Sequence, residues 1–290
     1  MATLDGEFYT LTSQELDFFK AQTGIQDEGA LKEHLMTVRS DAWEIYPYGC
    51  IRLFIFAKLK ITVLPAYPQL LKLGKERKGA IFLDIGCCFG NDLRKAVADG
   101  FPVENAIGSD LHAGFWQLGH QLFKTTPEQF PAHFVPGDAL NKDFLKTTPP
   151  FYAPPETPVP SLSTLTTLTP LLGHVSAIHA SSFFHLFDES QQMQLAHALA
   201  GLLSPMPGSL IFGEHSGRSQ KGYRTEGLLR RNGQAQFCHS PESWVELWDN
   251  VFKKGTVKTE ARLVEIERND LLEAKEDTRF YILMWSVTRL

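Results

Sequence analysis

The stretch LDIGCCFGNDLRK, residues 83–95, joins a short apolar run to a glycine turn and the turn to a helical pattern. AIFLDIG (80–86) is apolar but for Asp84 and ends in Gly86, which suits a strand buried in a parallel sheet. NDLRKAVADG (91–100) reads as a helix with Gly100 past its end. A turn between two such elements brings backbone N–H groups close to a ligand at the carboxyl edge of a sheet. Gly86 and Gly90 are the positions where a side chain would block that approach. The match to G-x-G-x-x-G is imperfect, because Cys88 stands where the second glycine would be. A pyrophosphate needs glycine there for close contact with the backbone.

The same alternation continues downstream. NAIGSDL (105–111), AHFVPGDAL (132–140), VSAIHASSFF (175–184) and GSLIFGEHSG (208–217) read as further strands. Between and after them, 114–124, 189–203 and 241–252 carry helical spacing, the last with Ser240 as N-cap and Pro241 in its first turn. ARLVEIER (261–268) and RFYILMWSVTR (279–289) close the chain as two strands expected to be antiparallel. Strands alternating with helices predict an α/β fold with a doubly wound, mainly parallel sheet and helices on both faces.

Acidic residues mark consecutive strand ends. Asp110 lies 20 residues after Gly90, where a carboxylate accepts from both hydroxyls of a ribose. Asp138 ends the third strand, placed to accept from an adenine amino group. With Asp84 and the glycine turn, these positions form a line suited to a nucleoside. The competing reading is that Asp110 and Asp138 only cap the turns that follow them.

Residues 1–79 form a separate stretch before this pattern. Helical spacing over 11–40 begins with Ser13 as a candidate cap, and another helix covers Pro68 to Lys75. The aromatic piece between them, with Trp43, Tyr46 and Tyr48, suits either a wall of an apolar pocket or plain packing on the sheet. Arg52 beside it suits a ligand carboxylate or a surface ion pair. The chain therefore divides into an N-terminal helical region at 1–79 and a sheet domain at 80–290. A Pro/Thr-rich insertion at about 147–174 is expected as an exposed loop, since proline neither donates to a ladder nor continues a helix. It reads as a surface insertion or as a flap over the site.

Bulk properties narrow the class. The 290 residues carry a net charge of -5, which provides no basic footprint for nucleic acid. Cys50, Cys87, Cys88 and Cys238 follow no zinc or disulfide spacing and read as reduced thiols of a cytoplasmic protein, with no metal site expected. The N-terminus lacks the basic start and apolar run of a signal peptide. Arg52, Lys58 and Lys60 interrupt the most apolar early stretch, so no membrane span of about 20 residues is expected.

The order DIGCCFG, SDL, GDAL and HASSFFHLF resembles class I S-adenosylmethionine-dependent methyltransferases over residues 80–215. AWEIYPYGCIR, LDIGCCFGNDLRK, IHASSFFHLF and SPESWVELWD are similar to the fungal methyltransferases that tailor polyketide–terpenoid hybrids, the meroterpenoids. The resemblance implies a Rossmann-like, mainly parallel seven-stranded sheet with an N-terminal helical lid, and S-adenosylmethionine as cofactor. It implies an O-methyltransferase of fungal secondary metabolism acting on a carboxyl group of an apolar, prenylated polyketide. Hydroxyl O-methylation, C-methylation and, from another class, an NAD(P)-dependent oxidoreductase remain open, as does a homodimer.

By the same resemblance Gly86, Cys87 and Gly90 lie beside the methionine part of the cofactor, Asp110 and Leu111 at the ribose, and Asp138 and Ala139 at the adenine. Ala180 passes near the sulfonium. His185 falls in the region of methyl transfer, as base or as an orienting group, with Phe184 beside it on the acceptor side. The alternative for His185 is packing between Phe184 and Phe187. His215, with Glu214 at the end of the fifth strand, is a further candidate for touching the acceptor. His179 reads as a core residue within its strand.

Overall fold

Five parallel strands form one side of the central sheet. They are β1 (Ile81–Ile85), β2 (Ala106–Ser109), β3 (His133–Phe134), β4 (Val175–His179) and β5 (Leu210–Gly217), side by side in the order β3-β2-β1-β4-β5. A small separate pair follows, β6 (Gly222–Arg224) and β7 (Gln236–Cys238), which the sequence patterns did not predict. The chain ends with β8 (Val257–Ile266) and β9 (Phe280–Arg289). β9 runs antiparallel between β5 and β8, completing a seven-stranded sheet. The computed structural model describes residues 8–224, 235–267 and 279–290; Arg268, at the end of the expected strand 261–268, lies outside them. Strand order reverses between β1 and β4, and that switch opens a crevice beyond the carboxyl ends of the strands.

The sheet is buried because helices cover both faces. Along β1, Ile81, Leu83 and Ile85 face one core and Phe82 the other, the period of two that a strand imposes. The helices are α1 (Ser13–Thr23), α2 (Glu28–Ile45), α3 (Gly49–Arg52), α4 (Tyr67–Glu76), α5 (Asn91–Ala98), α6 (Ala113–Leu122), α7 (Glu189–Leu202) and α8 (Pro241–Val251). Leu195 and Leu199 of α7 and Trp244 and Trp248 of α8 cover the Leu83 face. Leu70 and Leu73 of α4 cover the Phe82 face. Thus α4, though within 1–79, belongs to the sheet layers.

The remaining N-terminal helices share a core with α6. Leu31, Leu35, Val38 and Ala42 recur at helical spacing on α2 and cluster with Phe115, Leu118 and Leu122. Phe19 stacks on Phe123 with centroids 5.6 Å apart. The cap of α1 is Thr12 rather than Ser13, because Thr12 and Glu15 close a reciprocal capping box. Ser240 caps α8 as expected.

Two strands are shorter than the apolar runs suggest. The third ends at Phe134, before Pro136, yet Val135 and Gly137 still donate to Gly108 and Asp110, so the chain stays tied to β2 as far as Asp138. The fourth ends at His179, where the backbone bends through Ser182 at φ 52°.

The Pro/Thr-rich insertion is largely exposed along 152–167 and is anchored where it meets the core. Leu168 and Leu171 are fully buried in the sheet core. Arg289 donates to the Phe151 carbonyl at 2.8 Å, and the Lys253 amide to the Tyr152 hydroxyl at 2.8 Å. Arg289 pairs in the region of β5 residue Leu210, at the amino end of the parallel strands. Phe151 and Tyr152 are therefore tied to the edge opposite the crevice.

Candidate active site

The glycine turn is held from within. Gly86 and Gly90 adopt φ of 70° and 75°. A Cβ at Gly86 would lie 2.7 Å from the Phe183 ring, and one at Gly90 2.7 Å from Trp116, so both conformation and packing require glycine. Cys88 takes the left-handed conformation too, at φ 51°, at a cost of about 1–2 kcal/mol. The turn is thus kept despite the missing glycine. Its amide donates to Asp110 Oδ2 at 2.9 Å, and His112 donates to Asp110 Oδ1 at 2.9 Å. Burial raises the Asp110 pKa against those two amides. Each carboxylate oxygen keeps a further lone pair. Beside it Leu111 is 57% exposed, an apolar face left open at the strand end. Asp138 is exposed and accepts from the Leu140 amide, while Ala139 is buried. Ala180 is fully buried and donates to the Phe212 carbonyl.

The turn is a poor seat for a pyrophosphate. The amides of Gly86 and Cys87 both donate to the Ser109 carbonyl, at 2.8 and 3.1 Å, and that of Gly90 to Cys87. Asp92, in the first turn of α5, accepts from the Ile61 amide at 3.0 Å. Burial pushes its pKa up to about 6. A phosphate would meet the engaged amides of Gly86, Cys87 and Gly90 and the Asp92 carboxylate. Asp84, Asp92, Asp110 and Glu214 instead suit a cationic ligand with a nucleoside, which is the charge pattern of S-adenosylmethionine.

Two polar chains line the carboxyl ends of β1, β4 and β5. In the first, His179 Nδ1 donates to Asp84 Oδ1 at 2.8 Å, and Ser181 Oγ lies 2.6 Å from His179 Nε2. Burial opposes charge on this ring, but Asp84 and Asp92 together outweigh it and the His179 pKa is raised. In the second, Lys60 Nζ donates to Ser182 Oγ at 2.9 Å, and Ser182 donates to Glu214 Oε1 at 2.8 Å. Sequence reasoning missed Lys60, Ser182 and Asp92 as site residues. The signal for Lys60 was its place as a charge inside an apolar run.

The aromatic piece before the sheet reaches this crevice. Tyr46 stacks on His112, two residues from Asp110, with centroids 5.1 Å apart, and meets Tyr48 at a tilt with centroids 4.3 Å apart. Burial and the Asp110 charge raise the Tyr48 pKa well above its ordinary value. Trp43 is half-buried against the N-terminal core, and Arg52 lies over the Phe8 ring at 5.6 Å.

The three residues expected on the acceptor side separate. His185 is half-buried, and its Nδ1 accepts from the Ser216 amide at 3.4 Å. Phe184 is fully buried, edge-on to Trp244 at 4.9 Å. His215 is 1% exposed and accepts from Trp285 Nε1 at 3.0 Å. Burial, with His185 and His239, holds its pKa well below the usual imidazole range. Phe184 and His215 belong to the tryptophan core, so direct contact with an acceptor is not their placement; the alternation along β5 turns Glu214 to the crevice and His215 away from it.

The sheet order, the antiparallel β9 and the acid at the end of β2 define a class I S-adenosylmethionine-dependent methyltransferase. Residues 6–57 match the family model of the meroterpenoid methyltransferase N-terminal domain. The chain is 34% identical over 239 residues to O-methyltransferase phiE of Fungal sp. (strain ATCC 74256), covering 81% of this chain and 70% of that protein. It is 30% identical over 259 residues to Asnovolin E/Chermesin D methyltransferase nvfJ of Aspergillus novofumigatus (strain IBT 16806), covering 89% and 82%. Methyltransferase adrK of Penicillium roqueforti is 30% identical over 260 residues, with the same coverage. The chain belongs to this family of fungal meroterpenoid methyltransferases and uses S-adenosylmethionine.

Proposed function

We propose that this enzyme is an O-methyltransferase of fungal secondary metabolism that methylates a carboxyl group of an apolar, prenylated polyketide acceptor. The observation that carries the reading is the hydrogen bond from the Ser216 amide to His185 Nδ1. It fixes the tautomer of the neutral ring, so that Nε2 carries the proton and His185 is a donor. A donor suits an acceptor that is already an anion, as a carboxylic acid with an ordinary pKa near 4 is at neutral pH. A hydroxyl acceptor would instead need a base at this position.

S-adenosylmethionine supplies an activated methyl group on a positively charged sulfur. Asp110, Leu111, Asp138 and Ala139 would hold its nucleoside, and Gly86, Cys87, Gly90 and Ala180 its amino-acid end, with Asp84 acting behind them through His179. The chain's own contribution is alignment and exclusion of water. Tyr46, Tyr48 and Trp43 would wall the acceptor side, and His185 would orient one carboxylate oxygen along the line of attack. Incubation with labelled S-adenosylmethionine and prenylated polyketide acids, their methyl esters and their phenols tests the reading. Label transfer to acids but not to esters is the expected result; transfer to the phenolic oxygen of an ester overturns it.

A further inference from the structure

Lys60 brings a full positive charge from the N-terminal region to the ends of β4 and β5. Its Nζ makes one hydrogen bond among the described residues, to Ser182 Oγ. An ammonium has three N–H donors, so two are left over. The anions around it are near but not bonded to it. Glu214 accepts from Ser182 rather than from Lys60, and Asp92 accepts from the Ile61 amide. Burial opposes the charge, yet Glu214, Cys50 and Asp92 outweigh it, and the Lys60 pKa lies above its ordinary value. The side chain thus stays charged in a partly enclosed place with unsatisfied donors. Ser182, which fixes it, is itself held at φ 52° by its amide donating to the Glu214 carbonyl. A strained residue that positions a charged one at a site is a feature that function rather than stability maintains.

We propose that the Lys60 ammonium receives a carboxylate that a ligand brings into the crevice, with Ser182 and Glu214 as positioning residues. Two carboxylates come to this place: that of the cofactor's amino-acid part and, on the reading of the acceptor as an acid, that of the acceptor. The chemistry is the same for both, a charge-assisted N–H···O bond to a desolvated anion. Only the second source rests on that reading of the acceptor.

The test is Lys60→Met, which keeps the length and removes the charge, with Lys60→Arg as the cationic control. Calorimetric titration uses S-adenosylhomocysteine and 5′-methylthioadenosine, which lacks the amino-acid part. If the cofactor's carboxylate is the partner, Lys60→Met binds adenosylhomocysteine at least tenfold more weakly and methylthioadenosine unchanged. If the acceptor's is the partner, adenosylhomocysteine binds as in the parent and KM for the acid rises at least tenfold. Lys60→Arg should recover most of either loss. The proposal is overturned if neither affinity nor KM changes, or if both nucleosides weaken alike, since a merely structural lysine would not distinguish them. The titrations need no acceptor, so the proposal can stand while the carboxyl reading fails, or the reverse. Should Lys60→Met unfold, Ser182→Ala is used, with the same selective loss expected on a smaller scale and the same uniform loss overturning the idea.

Discussion

The amide of Cys88 donates to Asp110 Oδ2 at 2.9 Å, across the gap between the glycine turn and the end of β2. One carboxylate therefore fixes the turn and still has lone pairs for a ribose. Asp110→Ala removes both actions. Adenosylhomocysteine affinity is expected to fall by about 2–4 kcal/mol, since bonds to a charged group contribute roughly 1.5–3 kcal/mol each and do not add fully. Asp110→Asn keeps one acceptor oxygen and should lose less. Calorimetry on the two variants checks this; parent-like binding by Asp110→Ala would reduce Asp110 to a local cap.

Asp92 links the site to stability. Its pKa rises from 3.8 to about 6 through burial. A folded-state value above the unfolded one means that the protonated form favours the fold. That contribution is complete below pH 3.8 and is lost as pH rises to about 6. Above that, the ionised group costs up to about 3 kcal/mol at 1.36 kcal/mol per pKa unit. Asp92→Asn keeps an acceptor for the Ile61 amide and should be more stable than the parent at pH 7, with the gain shrinking toward pH 4. Urea unfolding across that range measures it; a pH-independent difference between the two proteins would contradict the assignment.

Leu168, within the Pro/Thr-rich insertion, is fully buried in the sheet core. Leu168→Ala should cost about 2–5 kcal/mol by removing buried methyl groups and leaving a cavity. Adenosylhomocysteine affinity of the folded protein should not change. A stable variant with weakened cofactor binding would favour the reading of the insertion as a flap over the site.

The layers of the sheet were legible because the sequence signals there are local. A buried strand, a glycine turn and an acid at the next strand end lie within 83–110, and the structure joins Gly86, Cys88 and Asp110 in one corner. The faces of β5 were not legible. Glu214 and His215 are neighbours at one strand end, and only the register decides that Glu214 meets Ser182 while His215 meets Trp285. Lys60 was hidden for a different reason. Its partner Ser182 is 122 residues away, and no periodicity records a contact of that range. In the insertion, proline and threonine made the exposed stretch legible, whereas the anchors at Phe151, Tyr152, Leu168 and Leu171 depend on distant partners that composition does not record.

His185 divides two chemistries. With Nδ1 accepting from the Ser216 amide, the neutral ring can donate through Nε2 but has no free lone pair for a proton. To act as base it would first have to give up that bond or exchange tautomers. If the acceptor is a carboxylate, the nucleophile arrives ionised, and His185→Ala removes one orienting contact. The rate should then fall by no more than about tenfold, or roughly 1.4 kcal/mol. His185→Gln, which retains an N–H donor, should recover part of that. If the acceptor is a phenol or alcohol, its proton must leave, and a positioned base contributes about 10²–10⁴-fold. His185→Ala would then be nearly inactive, and the parent's rate would rise with pH through an imidazole titration. The expected outcome is the mild defect with a flat profile near neutrality. Single-turnover rates at saturating cofactor decide it, because they separate the methyl-transfer step from cofactor binding. A loss beyond about a hundredfold with cofactor affinity unchanged would make His185 the general base and the acceptor a hydroxyl.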